Sequence, residues 1–174
     1  SQRLDIVIDG VMNGGETFIY WKPKTITDDP FNNWGHGIMG RALMDYYQAT
    51  HNPRILTAIN KVYTDFRIIM PDFSAPNLDR MMWLMRGATN VDAMTEAYLE
   101  SGDKTILKSL YDYANNEDIK KYESILASVK GRDDTYARSL HGVTLYEGLR
   151  VPAILSLWRD DASGYNVAEH LHDW

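Results

Sequence analysis

Apolar residues recur at spacings of three and four along most of this chain, which is the spacing of one face of an α-helix. The clearest stripe follows Asn52-Pro53, a typical helix start, and continues to about residue 70. Its apolar positions are Ile55, Ile59, Val62, Phe66 and Ile69. A shorter stripe runs through residues 4–12, and the stretch that alternates like a strand, residues 17–21, is short. The pattern therefore predicts an all-α protein.

The helical pattern also repeats along the chain. Residues 34–66 combine a small-residue start, an apolar helix ending in aromatics, a polar turn and a second helix, and residues 86–113 repeat that order. The turn THNPRIL at 50–56 lies over SGDKTIL at 101–107, at an offset of about fifty residues. Such self-similarity is typical of stacked helical hairpins, which form either an open solenoid or a closed toroid.

Capping residues predict where the helices of the second hairpin begin and end. Ser101-Gly102 is a helix stop, and Asp103 is expected to cap the helix that follows. A further helix is expected from Asn116 or Glu117 to about residue 129.

The third hairpin is unfinished. A long apolar helix is predicted over residues 141–158, with a kink at Pro152 because a mid-helix proline removes a hydrogen bond. A turn at 160–164 leads to a last helix that reaches Trp174 without a capping residue. Stacked repeats need a polar cap for solubility. We therefore expect residues 1–174 to be a single all-α domain that is either cut out of a longer protein or made of segments that close onto each other. Open edges would pair with the remainder of the fold or with a second copy.

Composition narrows the function classes. The chain is 44% hydrophobic and 11% aromatic, enough for a buried core, and has no cysteine to serve as a disulfide, metal ligand or nucleophile. Its net charge is −6 with acidic and basic residues interleaved, which argues against nucleic-acid binding. No apolar run reaches the roughly 20 residues that cross a bilayer. The chain starts at Ser1 rather than Met, which indicates processing or excision and favours a periplasmic or secreted location.

Three segments carry a resemblance to a known family. WGHGIMGRALMDYYQAT, GATNVDAMTEAYLESGDKTIL and LHGVTLYEGLRVPAILSLW together resemble the β-L-arabinofuranosidase-like glycoside hydrolases, the group that contains families 127 and 146. They lie within residues 34–161. The resemblance implies that residues 1–174 are a fragment of a larger (α/α)6 catalytic toroid with a sugar pocket, and that the substrate is an oligosaccharide or glycan.

The resemblance does not extend to the nucleophile. The best-described members of that group resemble metalloenzymes with a cysteine nucleophile in a zinc site, C-terminal to the part matched here. This chain has no cysteine, and His170-x-His172 has the wrong spacing for a helical metal pair, so we expect no metal and no cofactor. The chain then contributes part of a glycan-binding pocket, with hydrolysis in the full-length protein. The alternatives are a divergent hydrolase that uses carboxylates, and a noncatalytic helical-repeat domain that binds a protein or peptide.

Two histidines precede predicted inner helices and are candidate sugar ligands. His36 lies between two glycines, where bare backbone N–H groups at a helix start would face a ligand, and it either binds a sugar hydroxyl or ties down its own loop. Trp34 beside it is a candidate stacking platform for a sugar ring. The resemblance implies that His141 lines the substrate pocket. Asn90, at another helix start, is either a cap or a ligand contact.

Two glutamates are the candidate catalytic groups. Glu96 lies in the middle of the second inner helix, and Glu147 lies within an otherwise apolar helix. Buried carboxylates are costly unless solvated, paired or functional, so Glu147 either pairs with Arg150 or takes part in catalysis. The two carboxylates suit acid–base or nucleophilic hydrolysis if they lie about 5–10 Å apart.

Overall fold

The computed structural model describes residues 2–14, 30–64, 89–130 and 150–173. Within these ranges the chain forms helices and no strand, which confirms the all-α prediction. In chain order the helices are α1 (Gln2–Met12), α2 (Pro30–Thr50), α3 (Pro53–Thr64), α4 (Asn90–Ser101), α5 (Lys104–Ala114), α6 (Glu117–Ser128), α7 (Arg150–Arg159) and α8 (Ser163–His172).

Three hairpins, α2–α3, α4–α5 and α7–α8, pack side by side in two layers. The first helices of the hairpins, called the inner helices, contact one another in the order α2, α4, α7. Behind them α3 packs on α5, α1 packs on α3, and α6 contacts both α5 and α8. Fully buried side chains fill the space between the layers: Leu43, Met44, Ile55, Ile59, Tyr63, Met94, Ile106 and Leu110. Burying one such side chain contributes about 1.5–3 kcal/mol to the free energy of unfolding.

One turn geometry recurs in all three hairpins. In each turn, the residue that directly follows the first helix has a positive φ. The next residue accepts, through its Oδ1, a hydrogen bond from the backbone N–H two residues further along the chain. The left-handed residues are His51 (φ 50°), Gly102 (φ 68°) and Asp160 (φ 58°). The acceptors are Asn52 (3.1 Å), Asp103 (2.8 Å) and Asp161 (2.8 Å). This satisfies an N–H that the new helix leaves unpaired, and it confirms the predicted caps at Asn52 and Asp103.

The start of α2 differs from the prediction. The sequence suggested that residues 34–37 precede the helix, but α2 already begins at Pro30, so Trp34 and His36 lie inside it. The glycines serve close packing rather than a helix start. A Cβ on Gly37 would lie 2.5 Å from Thr89 Oγ1, and one on Gly40 would lie 2.9 Å from the Cβ of Ala93. Only residues without a side chain allow α4 to approach α2 this closely.

Some predicted elements lie outside the described residues. These include the continuation beyond residue 64 of the stripe that follows Asn52-Pro53, and the predicted helix over 141–149 that would show a kink at Pro152. None of the helices in the described ranges is long and apolar enough to cross a membrane.

Candidate functional site

A row of charged side chains crosses the three inner helices. Each inner helix carries one of them ten residues before the left-handed residue of its turn. They are Arg41, Asp92 and Arg150, which therefore occupy equivalent positions. Arg150 donates through Nε to Asp92 Oδ2 at 2.6 Å, and its Nη2 lies 2.5 Å from the same oxygen. Arg41 Nη1 lies 3.8 Å from that oxygen on the other side. The Asp92 side chain is 10% exposed, whereas both arginines are partly exposed, so the row reaches the solvent.

Two further carboxyls lie one helical turn beyond this row. Asp45 follows Arg41 by four residues on α2, and Glu96 follows Asp92 by four residues on α4. Residues four apart share one face of a helix, so the four side chains lie on the same side of the inner helices. Partial burial raises the pKa of Glu96, and the negative charges of Asp45, Asp92 and Glu100 raise it further. Glu96 therefore holds a proton more tightly than an ordinary glutamic acid does.

We call this surface the inner face. Besides its charged residues it carries large apolar side chains at the positions Ile38, Leu99 and Leu157. Leu99 is 71% exposed and Leu157 is 68% exposed, and both stand three residues before the left-handed residue of their turn. The inner face therefore combines acidic, basic and apolar groups.

His36 and Asn90 lie deeper than the sequence suggested. His36 is 2% exposed, and burial lowers its pKa to about 4, so the imidazole is neutral at pH 7. Asn90 is fully buried, and its Oδ1 accepts a hydrogen bond from the Tyr63 hydroxyl at 3.2 Å. The N-cap of α4 is Thr89, so Asn90 does not cap that helix. Both side chains lie where α2 packs on α4, and the half-buried Trp34 is closer to the solvent.

The other two predicted site residues, His141 and Glu147, lie outside the described residues. The distance between Glu96 and Glu147 therefore stays a prediction. Arg150, the alternative partner of Glu147, contacts Asp92 through two nitrogen atoms.

A second polar site, which the sequence analysis missed, lies away from the inner face, where the end of α7 meets α6 and α8. Arg159 at the end of α7 donates through Nε to the Ala114 carbonyl and through Nη1 to Glu123 Oε2. The side chains of Arg159 and Glu123 are 3% and 8% exposed. They lie at a cleft of about 520 Å³ between α6 and α8. Nothing local marks this pair, because its members are 36 residues apart.

The described residues contain no cluster of metal-binding side chains. In the part of the chain that the structure describes, no three His, Asp or Glu side chains come together in a way that could hold a metal ion.

Comparisons with known proteins add no relative. No family model matches the chain, and neither a curated protein nor a solved structure matches it.

Proposed function

We propose that this chain is part of a carbohydrate-active domain and that a neutral glycan binds across its inner face. The observation that carries the proposal is the position of Glu96, a partly buried carboxyl with a raised pKa, on that face with Asp45. Glycoside hydrolases use one carboxyl that keeps its proton and gives it to the leaving oxygen, with a second carboxylate that stays ionised. The resemblance to β-L-arabinofuranosidase-like hydrolases favours the same class of ligand.

Each group on the inner face has a role in this proposal. Glu96 is the proton donor, and the charge of Asp45 helps to keep its pKa high. Arg150 lies at the solvent edge, and a guanidinium has five N–H donors, enough to hold Asp92 and also a sugar hydroxyl. Leu99 and Leu157 offer apolar area to the C–H face of a sugar ring. Glu147 stays the predicted second carboxylate for hydrolysis.

The isolated chain is expected to bind a glycan and to hydrolyse it weakly or not at all. In the resembling family the nucleophile is a cysteine, and this chain contains none. Hydrolysis is therefore proposed for the full-length protein.

A calorimetric titration with short arabinose-, galactose- and rhamnose-containing oligosaccharides tests this proposal. We expect saturable binding that weakens about tenfold or more in Glu96→Gln, since one tenfold step equals about 1.4 kcal/mol of binding free energy. The matched control is Asp112→Asn, which changes an exposed carboxylate on α5 and should leave binding unchanged. A folded chain that binds none of these sugars, or equal binding by Glu96→Gln, would overturn the proposal.

One observation favours a second candidate, a noncatalytic helical-repeat domain that binds a protein or peptide. Leu99 and Leu157 are exposed at equivalent positions of two neighbouring hairpins, a pattern that suits a repeating partner surface. If this candidate is right, Leu99→Ser with Leu157→Ser abolishes partner binding, and Glu96→Gln leaves it intact.

A further inference from the structure

The cleft between α6 and α8 has a floor of two buried charged side chains. Arg159 is held from two directions, by the Ala114 carbonyl at the end of α5 and by Glu123 on α6. These contacts fix the plane of its guanidinium group before any ligand arrives. Preorganised donors bind ligands better because no conformational freedom is lost on binding.

Each member of the pair keeps one polar atom unused. Across the described ranges of the chain, neither Arg159 Nη2 nor Glu123 Oε1 has a hydrogen-bond partner, although both atoms are buried. A buried polar atom without a partner costs about 1–3 kcal/mol. Both residues line the cleft, so a small shift of the groups that cover these two atoms would let a bound molecule satisfy the donor and the acceptor together.

Besides His170, two acidic and two basic side chains line the cleft, and their charges cancel. Glu123 and Arg159 compensate each other, and the wall carries Lys120 and Asp161, which have opposite charges. An anion or a cation would gain attraction from one member of each pair and lose it to the other. A hydroxyl group is both a donor and an acceptor, so it matches this floor without adding charge.

The walls of the cleft suit a molecule with C–H groups as well as hydroxyls. Ala127 and Val167 supply apolar surface, and Ser124 and Asn166 supply polar side chains. The volume of about 520 Å³ lies within the roughly 300–1,000 Å³ that is usual for small-molecule sites.

We propose that this cleft is a binding site for a neutral polyhydroxylated molecule. One hydroxyl donates to Glu123 Oε1, and a neighbouring hydroxyl accepts from Arg159 Nη2. None of the residues of this site belongs to the inner face, so the site is independent of the function proposed above.

An NMR titration of the whole chain tests the site, with myo-inositol and arabinose as neutral probes and inorganic phosphate and glycine as charged ones. We expect saturable shifts of the backbone amides of Ser124, Asp161 and Asn166 with the neutral probes, at dissociation constants in roughly the millimolar range. Phosphate and glycine should cause no saturable shift at these amides. Tighter binding of either charged probe, or no saturable shift with the neutral ones, would overturn the proposal.

A cleft-filling variant provides the second measurement. Ala127 is an exposed residue of the cleft wall, so Ala127→Trp should block the cleft while the buried pair stays intact. It should weaken the binding of myo-inositol about tenfold or more. The control Ala49→Trp adds the same side chain at an exposed position of α2 and should change nothing. Unchanged binding by Ala127→Trp rejects this cleft, and Glu96→Gln separates the two sites because it should affect only glycan binding at the inner face.

Discussion

Arg150 on α7 donates through Nε to Asp92 Oδ2 on α4 at 2.6 Å, and the two residues hold the same position in neighbouring hairpins. Arg41 holds that position in the first hairpin, on the other side of Asp92. The repeat therefore includes side chains as well as the backbone. The three equivalent positions form a row of alternating charges across the inner helices. Because Asp92 is mostly buried and shared by two arginines, it connects all three hairpins electrostatically.

Replacing the central carboxylate should destabilise the fold. We expect Asp92→Asn to lower the free energy of unfolding by about 2 kcal/mol, because it removes a charge-assisted hydrogen bond and leaves Arg150 without its ion pair. Urea unfolding followed by circular dichroism measures the change. Asp112→Asn, which breaks an exposed ion pair with Lys108, should cost less than about 1 kcal/mol. Equal effects of the two variants would contradict the role given to Asp92.

A double-mutant cycle separates the two arginines. The coupling free energy between Asp92 and Arg150 should exceed that between Asp92 and Arg41, since the contacts are 2.6 Å and 3.8 Å long. Arg150→Gln and Arg41→Gln, each alone and combined with Asp92→Asn, supply the two cycles. A stronger coupling to Arg41 would show that the row is arranged differently in solution.

Burial of His36 predicts a loss of stability in mild acid. Its pKa is about 4 in the folded chain, against 6.5 for an ordinary histidine. Between these values the unfolded chain binds a proton that the folded chain does not, so stability is complete above pH 6.5 and falls as the pH drops toward 4. The loss amounts to about 3 kcal/mol.

Urea unfolding at several pH values tests this dependence. His36→Gln removes the titrating group, so its free energy of unfolding should decline less steeply than that of the wild type between pH 6.5 and 4. His172→Gln, which changes an exposed histidine on α8, is the matched control for a histidine-to-glutamine replacement. Parallel curves for the wild type and His36→Gln would show that His36 is accessible to solvent.

Glu96 should show the opposite dependence. Its pKa is raised above 4.5, so the folded chain binds the proton more tightly than the unfolded chain, and stability falls as the pH rises through the raised value. Glu96→Gln should therefore gain stability at neutral pH, and the gain should vanish below pH 4.5. Thermal unfolding at pH 4 and pH 7 measures it. A loss of stability at pH 7 would mean that Glu96 has an attractive partner. A gain in stability with a loss of glycan binding is the behaviour expected of a functional carboxyl.

Close packing at Gly40 should make that glycine irreplaceable. In an exposed helix, glycine to alanine gains about 1 kcal/mol. At Gly40 a Cβ would overlap the Tyr63 hydroxyl and lie 2.9 Å from the Cβ of Ala93. We expect Gly40→Ala to lower the free energy of unfolding by about 2 kcal/mol because α2 and α4 must move apart. Tyr63→Phe removes one overlapping atom but also the buried hydrogen bond to Asn90, so it is measured alone as well. Gly40→Ala should cost less in the Tyr63→Phe background than in the wild type. A stabilising Gly40→Ala would refute the close approach.

Local signals in the sequence predicted the hairpins well. Asn52 and Asp103 could be identified as caps because each bonds a backbone N–H only two residues away. The stripe of Ile55, Ile59 and Val62 could be identified because helical periodicity places these residues on one face, and all three are buried. Such features involve a few consecutive residues, so no knowledge of the remaining chain is needed.

The same local logic misplaced the start of α2. Glycines near His36 resemble a helix boundary because glycine is a poor helix former. Their reason lies on another helix, since Gly37 packs against Thr89 and Gly40 against Ala93. For this reason a histidine expected at an open helix start is instead buried within a helix.

The sequence by itself determined the all-α class, the hairpin repeat and the chemistry of its turns, because periodicity and capping act over a few residues of one chain segment. Only the tertiary structure decided which charges meet. Asp92 and Arg150 are 58 residues apart, and Glu123 and Arg159 are 36 apart. Whether a carboxyl is paired, buried or placed beside another carboxyl depends on the packing of distant helices. That packing sets the pKa of Glu96 and places Arg159 and Glu123 together at the cleft between α6 and α8.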